Sequence, residues 1–314
     1  MKPLQTPVLF LIFNRPALTE QVFARIRAAR PTRLFVAADG PRPNRPTDED
    51  RCRQTRAIVE QIDWDCDVHT LFQAQNLGCR RAVSSAISWF FSHVPEGIIL
   101  EDDCLPDPSF FTFCEALLIR YRDDASVMSI GGSNLQFGRV RGNGSYYFSR
   151  LMHIWGWATW RRAWQLYDIE MRNLDIFIRD NRIAEVFTDK SAQRQMIEVF
   201  RNFKAGDDSW DHQWGFTMMW HRGKCIVPNT NLITNIGFGR DATHALDEQN
   251  ALANLASGSL NELVHPATTE VSRDADDFMG QEFYKLPKPI VLLLKQTRRF
   301  LKAQLRKYGT PAPA

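Results

Sequence analysis

The stretch that most constrains this chain is Gly97 to Pro108, a short apolar run (Ile98, Ile99, Leu100) ending in three consecutive acids, Glu101, Asp102 and Asp103. A run of this length reads as a strand covered on both faces. Asp107 and Pro108 then supply an N-cap and a first-turn proline for a helix from Ser109 to about Arg122. The unit is strand, acidic turn, helix. In open α/β sheets ligands bind beyond the carboxyl ends of the strands, and adjacent carboxylates repel one another unless a cation lies between them. The turn is therefore a candidate site for a divalent metal. Hard oxygen donors without a nearby Cys or His pair point to Mn²⁺ or Mg²⁺ rather than zinc. Along an extended chain Glu101 and Asp103 share one side and Asp102 takes the other, so a single ion is not expected to gather all three.

The preceding residues repeat this unit. Val8 to Phe13 is an apolar run followed by Asn14-Arg15-Pro16 and a helical pattern to about Ala29; Arg33 to Ala38 is another, ending in Asp39-Gly40-Pro41. Cys52 to Ile62 reads as helix, Asp67 to Phe72 as a third strand, and Asn76-Leu77-Gly78 opens a helix carrying Arg80 and Arg81 with Val83, Ile87 and Phe90 or Phe91 inward. Such alternation predicts a mostly parallel, Rossmann-like α/β sheet flanked by helices. Three turns then meet at one edge: Phe13-Asn14-Arg15, Asp39-Gly40 and the acidic turn. Together they suit a nucleotide, with Arg15 or Arg80 and Arg81 for phosphate, Asp39 for base or ribose, and the metal for the diphosphate. No G-x-x-x-x-G-K-[ST] occurs, which excludes a P-loop, and no G-x-G-x-x-G follows the first strand.

After Gly131 the alternation stops and aromatic residues gather. Trp160 and Trp164, four apart on an expected helix, read as core, whereas Trp155-Gly156-Trp157 reads as a loop whose rings can approach a sugar. Asn173 to Lys204 looks helical. Asp207 to Trp214 then sets acids among aromatics at the start of another helix. An N-cap at Asp208 or Ser209 accounts for one acid there, and a carboxylate beside Trp210 is a candidate general base. Cys225 to Pro228 reads as a short strand, followed by a glycine-bearing loop that ends at His244.

Separated blocks along the chain together resemble one family. They are VLFLIFNRPA from Val8, VAADGP from Val36, IILEDDCLPDPSFF from Ile98, GWATW from Gly156, SWDHQW from Ser209, GKCIVPNTNL from Gly223 and NIGFGRDATH from Asn235. In this order they resemble GT-A fold glycosyltransferases, in particular N-acetylglucosaminyltransferase I and bacterial proteins described as hemolysin-like. The resemblance implies a GT-A (nucleotide-diphospho-sugar transferase) fold, a nucleotide-sugar donor and inversion at the anomeric carbon. It implies Asp103 on Mn²⁺, with Glu101 beside it, Asp102 near the ribose, and Asp39 and Arg15 on base and phosphate. It puts the base at Asp211, with Asp208 as the substitute because His212 stands where the family has a second acid. His244 matches a family histidine and is a candidate metal ligand. Trp155, Trp157 and Trp210 are the candidate sugar-facing rings. An inverting transfer needs a base on one face of the donor and a metal at the leaving diphosphate on the other, and the sequence supplies two separate acidic sites.

Charge divides the chain. Eight Lys and Arg lie between Lys285 and Lys307 with no acid among them, and removing these from the net +3 leaves the remainder at −5. A nucleic-acid-binding core is excluded on that balance. The expected division is 1–250 as catalytic domain, 251–282 as a loose acidic connector and 283–314 as a basic amphipathic helix and tail. That helix would lie on an anionic membrane or pack on the domain. No apolar run approaches a membrane span and residues 1–20 lack the order of a signal peptide, so a cytoplasmic protein is expected, with peripheral contact at the inner face of the membrane. Six cysteines without C-x-x-C spacing read as reduced thiols. The expected activity is transfer of a sugar, from UDP by preference, to a glycan or lipid-linked acceptor in bacterial surface polysaccharide synthesis. The competing classes are a sugar-nucleotide nucleotidyltransferase, whose glycine- and Lys/Arg-rich phosphate loop is missing here, and a carbohydrate-binding protein, which would not need Asp103 or Asp211.

Overall fold

The computed structural model describes residues 3–238, 252–253 and 255–284. The chain opens with β1 (Val8–Ile12), α1 (Pro16–Ala29), β2 (Arg33–Ala38), α2 (Asp48–Arg56), β3 (Asp67–Phe72), α3 (Cys79–His93) and β4 (Glu96–Glu101). After the acidic turn come β5 (Cys104–Pro106), α4 (Pro108–Arg120) and β6 (Val127–Gly131). The second half supplies β7 (Tyr146–Ser149), β8 (Trp157–Trp160), α5 (Arg161–Trp164), α6 (Leu174–Arg179), α7 (Lys190–Ala205), α8 (Asp211–Trp220), β9 (Lys224–Pro228), β10 (Ile233–Asn235) and α9 (Arg273–Phe283).

Eight of these strands form one sheet in the order β3-β2-β1-β4-β8-β6-β9-β7. The α/β class is as expected, but the sheet is mixed. Its first four strands are parallel, whereas β8 runs antiparallel to both β4 and β6, and β7 antiparallel to β9. β5 and β10 make a separate antiparallel pair beside the acidic turn.

Period-two alternation sorts the buried side chains of β1 and β4 onto two faces. Val8, Phe10, Ile12, Ile98 and Leu100 meet α1 and α4, while Leu9, Leu11 and Ile99 meet the apolar side of α3 through Ile87 and Phe90. Each such side chain, fully buried, contributes about 1.5–3 kcal/mol. A third cluster joins α6, α7 and α8 through Phe177, Phe200 and Phe216. The expected helix over 173–204 is broken: a left-handed Asn181 and a 3₁₀ turn separate α6 from α7.

The segment expected as a loose connector is docked. Its α9 packs on α7 and β7, and Asp276 is buried, accepting from the Ser149 hydroxyl (2.5 Å) and the Arg150 amide (3.0 Å). The basic segment beyond Tyr284 lies outside the described residues. Among the described residues no helix is long and apolar enough to cross a membrane. All six cysteines are free.

Candidate active site

The carboxyl ends of β1, β2 and β4 are adjacent, so the three turns expected at one edge do meet there, around a cavity of about 700 Å³. Its floor is the acidic turn. Glu101 ends β4, and the chain then turns instead of staying extended, which removes the expected alternation of sides. Asp102 and Asp103 both reach Arg15: Nε and Nη2 donate to Asp102, and Nη1 stands 3.0 Å from Asp103. Arg15, expected on a donor phosphate, thus neutralises the turn itself. The Asp103 carbonyl accepts from the Ile236 amide (2.8 Å), and Gly237 lies so close that a Cβ would stand 2.3 Å from the Asp103 carboxylate. Glu101 accepts no side-chain hydrogen bond among the described residues; burial, then Asp103 and Asp102, push its carboxyl up to about 8. Burial also raises Asp102, against the pull of Arg15.

The wall on the β2 side is built around Asp39. Its carboxylate accepts from the Gly40 amide (2.8 Å), the Leu77 amide (2.9 Å), the Gly78 amide (3.2 Å) and Asn76 Nδ2 (2.8 Å). Four donors fill its acceptor sites, so Asp39 shapes the wall and has no lone pair left for a base or ribose. Burial raises its pKa. Phe13 is half-buried in the cavity lining as expected, and the Arg42 guanidinium lies over its ring at 5.3 Å. Arg42 is held by the buried Asp48, which also takes Asn14 Nδ2 at 2.9 Å. Asn14 therefore secures this loop and does not line the cavity. Arg42 and Asp48 were missed from sequence because both fall in the polar stretch ahead of the helix expected at Cys52, whereas the helix begins at Asp48. Arg80 and Arg81 do not line the cavity either. Arg80 turns to the Ile169 carbonyl (2.6 Å) and Arg81 is exposed.

The opposite wall carries the aromatic segment. Trp155 is half-buried in the lining, edge-on to Phe238 at 5.9 Å. Trp157 is not in the lining. It lies on strand β8 with no exposed surface, packed against Trp210 (5.5 Å), Trp214 (5.8 Å) and Trp164 (6.2 Å), so its ring belongs to the core. Trp210 is 2% exposed and presents only an edge of the wall. Phe203, which the sequence placed in a helix interior, lines the cavity with its ring tilted against His212 at 4.1 Å between centroids.

The two candidate bases separate here. Asp208 does not cap α8. Its oxygens accept from the Cys79 amide (3.0 Å) and the Arg80 amide (2.8 Å), capping α3 across the cavity. Asp211 is the first residue of α8, with Oδ1 accepting from the Ser209 hydroxyl and the His212 amide (2.9 Å). Its Oδ2 accepts nothing among the described residues.

No group of three or more His, Cys, Asp or Glu placed to hold a metal occurs among the described residues, and His244 lies outside them. The donors present nonetheless fit a hard cation shared with a diphosphate, which takes only one or two carboxylates from the protein. Asp103 and Glu101 are oxygen donors on one cavity floor, and half-buried Glu101 accepts no side-chain hydrogen bond among the described residues that would support its charge.

No family model matches the chain, and no curated protein matches it. Among solved structures it is similar to the mannosyltransferase PcManGT from Pyrobaculum calidifontis in complex with GDP-Man and Mn²⁺, at 12% identity and TM-score 0.36, over 69% of this chain and 74% of that one. It is also similar to S. aureus TarS 1-349, at 12% identity and TM-score 0.41, over 73% of this chain and 59% of that one. A UDP-glucose pyrophosphorylase complexed with UDP-glucose is similar at 10% identity and TM-score 0.35, over 71% of this chain and 90% of that one. At these scores the likenesses carry no residue-level weight, and the functional reading stands on the site.

Proposed function

We propose that the chain is a metal-dependent, inverting glycosyltransferase of GT-A type that takes its sugar from a nucleotide-sugar donor, UDP-linked by preference. The observation that carries this reading is the pairing, across one cavity, of the acidic turn at the end of β4 with an Asp211 whose Oδ2 is free. The blocks between residues 8 and 244 that resemble N-acetylglucosaminyltransferase I support it. The acceptor is a glycan or a lipid-linked glycan of bacterial surface polysaccharide synthesis, and the basic segment after Tyr284 suits peripheral contact with a membrane that carries it.

In this reading Asp211 Oδ2 removes the proton from the acceptor hydroxyl, while Ser209 and the His212 amide hold Oδ1 and so fix the carboxylate. Trp155 orients the sugar by its apolar face. Phe13 and Arg42 bound the nucleotide end of the cavity, and Asp39 keeps its wall in shape. Asp103, with Glu101 beside it, would hold Mn²⁺ or Mg²⁺, and that ion would supply Lewis-acid stabilisation of charge at the leaving diphosphate. Arg15 steadies Asp102 and Asp103 against mutual repulsion.

The test is a hydrolysis screen of nucleotide sugars with Mn²⁺, since slow hydrolysis identifies a donor before any acceptor is known. A UDP-sugar is expected to yield UDP and free sugar. Conversion of a sugar nucleotide and pyrophosphate to a nucleoside triphosphate and a sugar 1-phosphate would instead assign the site to a nucleotidyltransferase.

A further inference from the structure

Four successive amides at the start of α3, those of Leu77, Gly78, Cys79 and Arg80, are taken by two carboxylates from distant parts of the chain. Asp39 accepts the first two and Asp208 the last two. The first amides of a helix have no partner within it, and carboxylates are stabilised there by the helix dipole. A cap alone needs one acid from a nearby residue. Here the second acid arrives from the segment that leads into α8, across the cavity, and both carboxylates line that cavity. Gly78 permits the approach. Its φ of +77° disfavours a side chain, and a Cβ would stand 2.9 Å from an Asp208 oxygen.

We propose that Asp208 is a positioning residue, which fastens the segment bearing Asp211 to the turn that forms the nucleotide wall. The inference rests on the reading of Asp211 as the base. Asp208 lies on the short connection between α7 and α8, and Asp211 opens α8 directly after it. Anchoring Asp208 to backbone amides at the rim of the sheet limits how far Asp211 can drift from the donor. The acid and the nucleotide wall thereby share one rigid turn, with Asp39 holding its other half. A misplacement of about 1 Å at a reacting group costs roughly a hundredfold in rate, so a clamp at this point has a kinetic consequence beyond stability.

Two measurements on the full-length protein test this. In hydrogen exchange without ligand, Asp208→Asn and Asp208→Ala are expected to speed exchange at residues 79–80 and, together with them, at 209–212. Faster exchange at 79–80 alone would overturn the clamp and leave a simple helix cap. This arm needs no donor, so it stands even if the transferase reading fails. In turnover of whichever nucleotide sugar the wild type hydrolyses, Asp208→Asn is expected to lower kcat on the order of a hundredfold. Donor KM should stay within about twofold, since nucleotide contacts are retained, and the double variant with Asp211→Asn should be no slower than Asp211→Asn alone, as for residues acting as a unit. Unchanged kcat in Asp208→Asn, or activity that survives Asp211→Asn but not Asp208→Asn, would overturn the assignment.

Discussion

Asp208 lies in the connection ahead of α8 and Asp211 opens that helix, and in the sequence only the family resemblance favours Asp211 as the base. What separates them is hydrogen bonding: both Asp208 oxygens are taken by amides of α3, while one Asp211 oxygen is open. The partner amides lie well over a hundred positions upstream, so no local pattern could reveal the cap. Replacing Asp211 by Asn should keep nucleotide affinity and lower transfer by about 10²–10⁴, the usual contribution of a general base, as measured by single-turnover transfer with saturating donor. A second residue-scale expectation concerns His153. It is 3% exposed, and burial lowers its pKa from 6.5 to about 4, against the smaller pull of the Ser133 backbone. The unfolded chain then takes up this proton first. His153 accordingly favours folding fully above pH 6.5, and that contribution is lost as pH falls toward 4, to an extent of roughly 3 kcal/mol. Urea unfolding of wild type and His153→Gln between pH 7 and 4.5 should show a steeper loss of stability in the wild type; parallel curves would mean that the ring is not held neutral.

Elements whose signals are local were legible. Asp107 caps α4 through the Ser109 amide (2.9 Å) with Pro108 in its first turn, as its sequence predicts, and α3 begins directly after Gly78. The aromatic segment was less legible. Trp157 to Trp160 forms β8 rather than leading a helix through Trp160 to Trp164, because pairing with β4 and β6 decides its conformation. Spacing by four matches a helix face but also fits a strand followed by a short turn. Burial then separates two tryptophans that look alike in sequence. Trp157→Ala should destabilise the fold by about 3–5 kcal/mol through the cavity it leaves, measured by chemical denaturation. Trp155→Ala should cost far less stability and instead raise the KM for the sugar substrate. The reverse pattern would return the stacking role to Trp157.

At the scale of the molecule, the half-sheet β3-β2-β1-β4 could be read because apolar runs and helical patterns alternate at regular spacing, and right-handed crossovers place those strands side by side. The second half could not. β6 pairs with β9 across α7 and α8, and β8 inserts between β4 and β6, choices that depend on contacts between remote segments. The same division applies to the site. Acids at strand ends were found from pattern, whereas the pairing of Arg15 with Asp102 and Asp103, and the anchoring of Arg42 by Asp48, exist only once the strands are aligned. If the site is used as proposed, Asp103, in the turn after β4, binds a nucleotide diphosphate through a divalent cation. Thermal melting of the full chain with UDP, GDP and CMP, each with and without Mn²⁺, tests it most directly. UDP should stabilise the wild type only when Mn²⁺ is present, by about 2.7 kcal/mol at a hundredfold excess over Kd, and should have no such effect on Asp103→Asn. Absence of metal-dependent stabilisation by all three nucleotides, or its persistence in Asp103→Asn, would contradict the account.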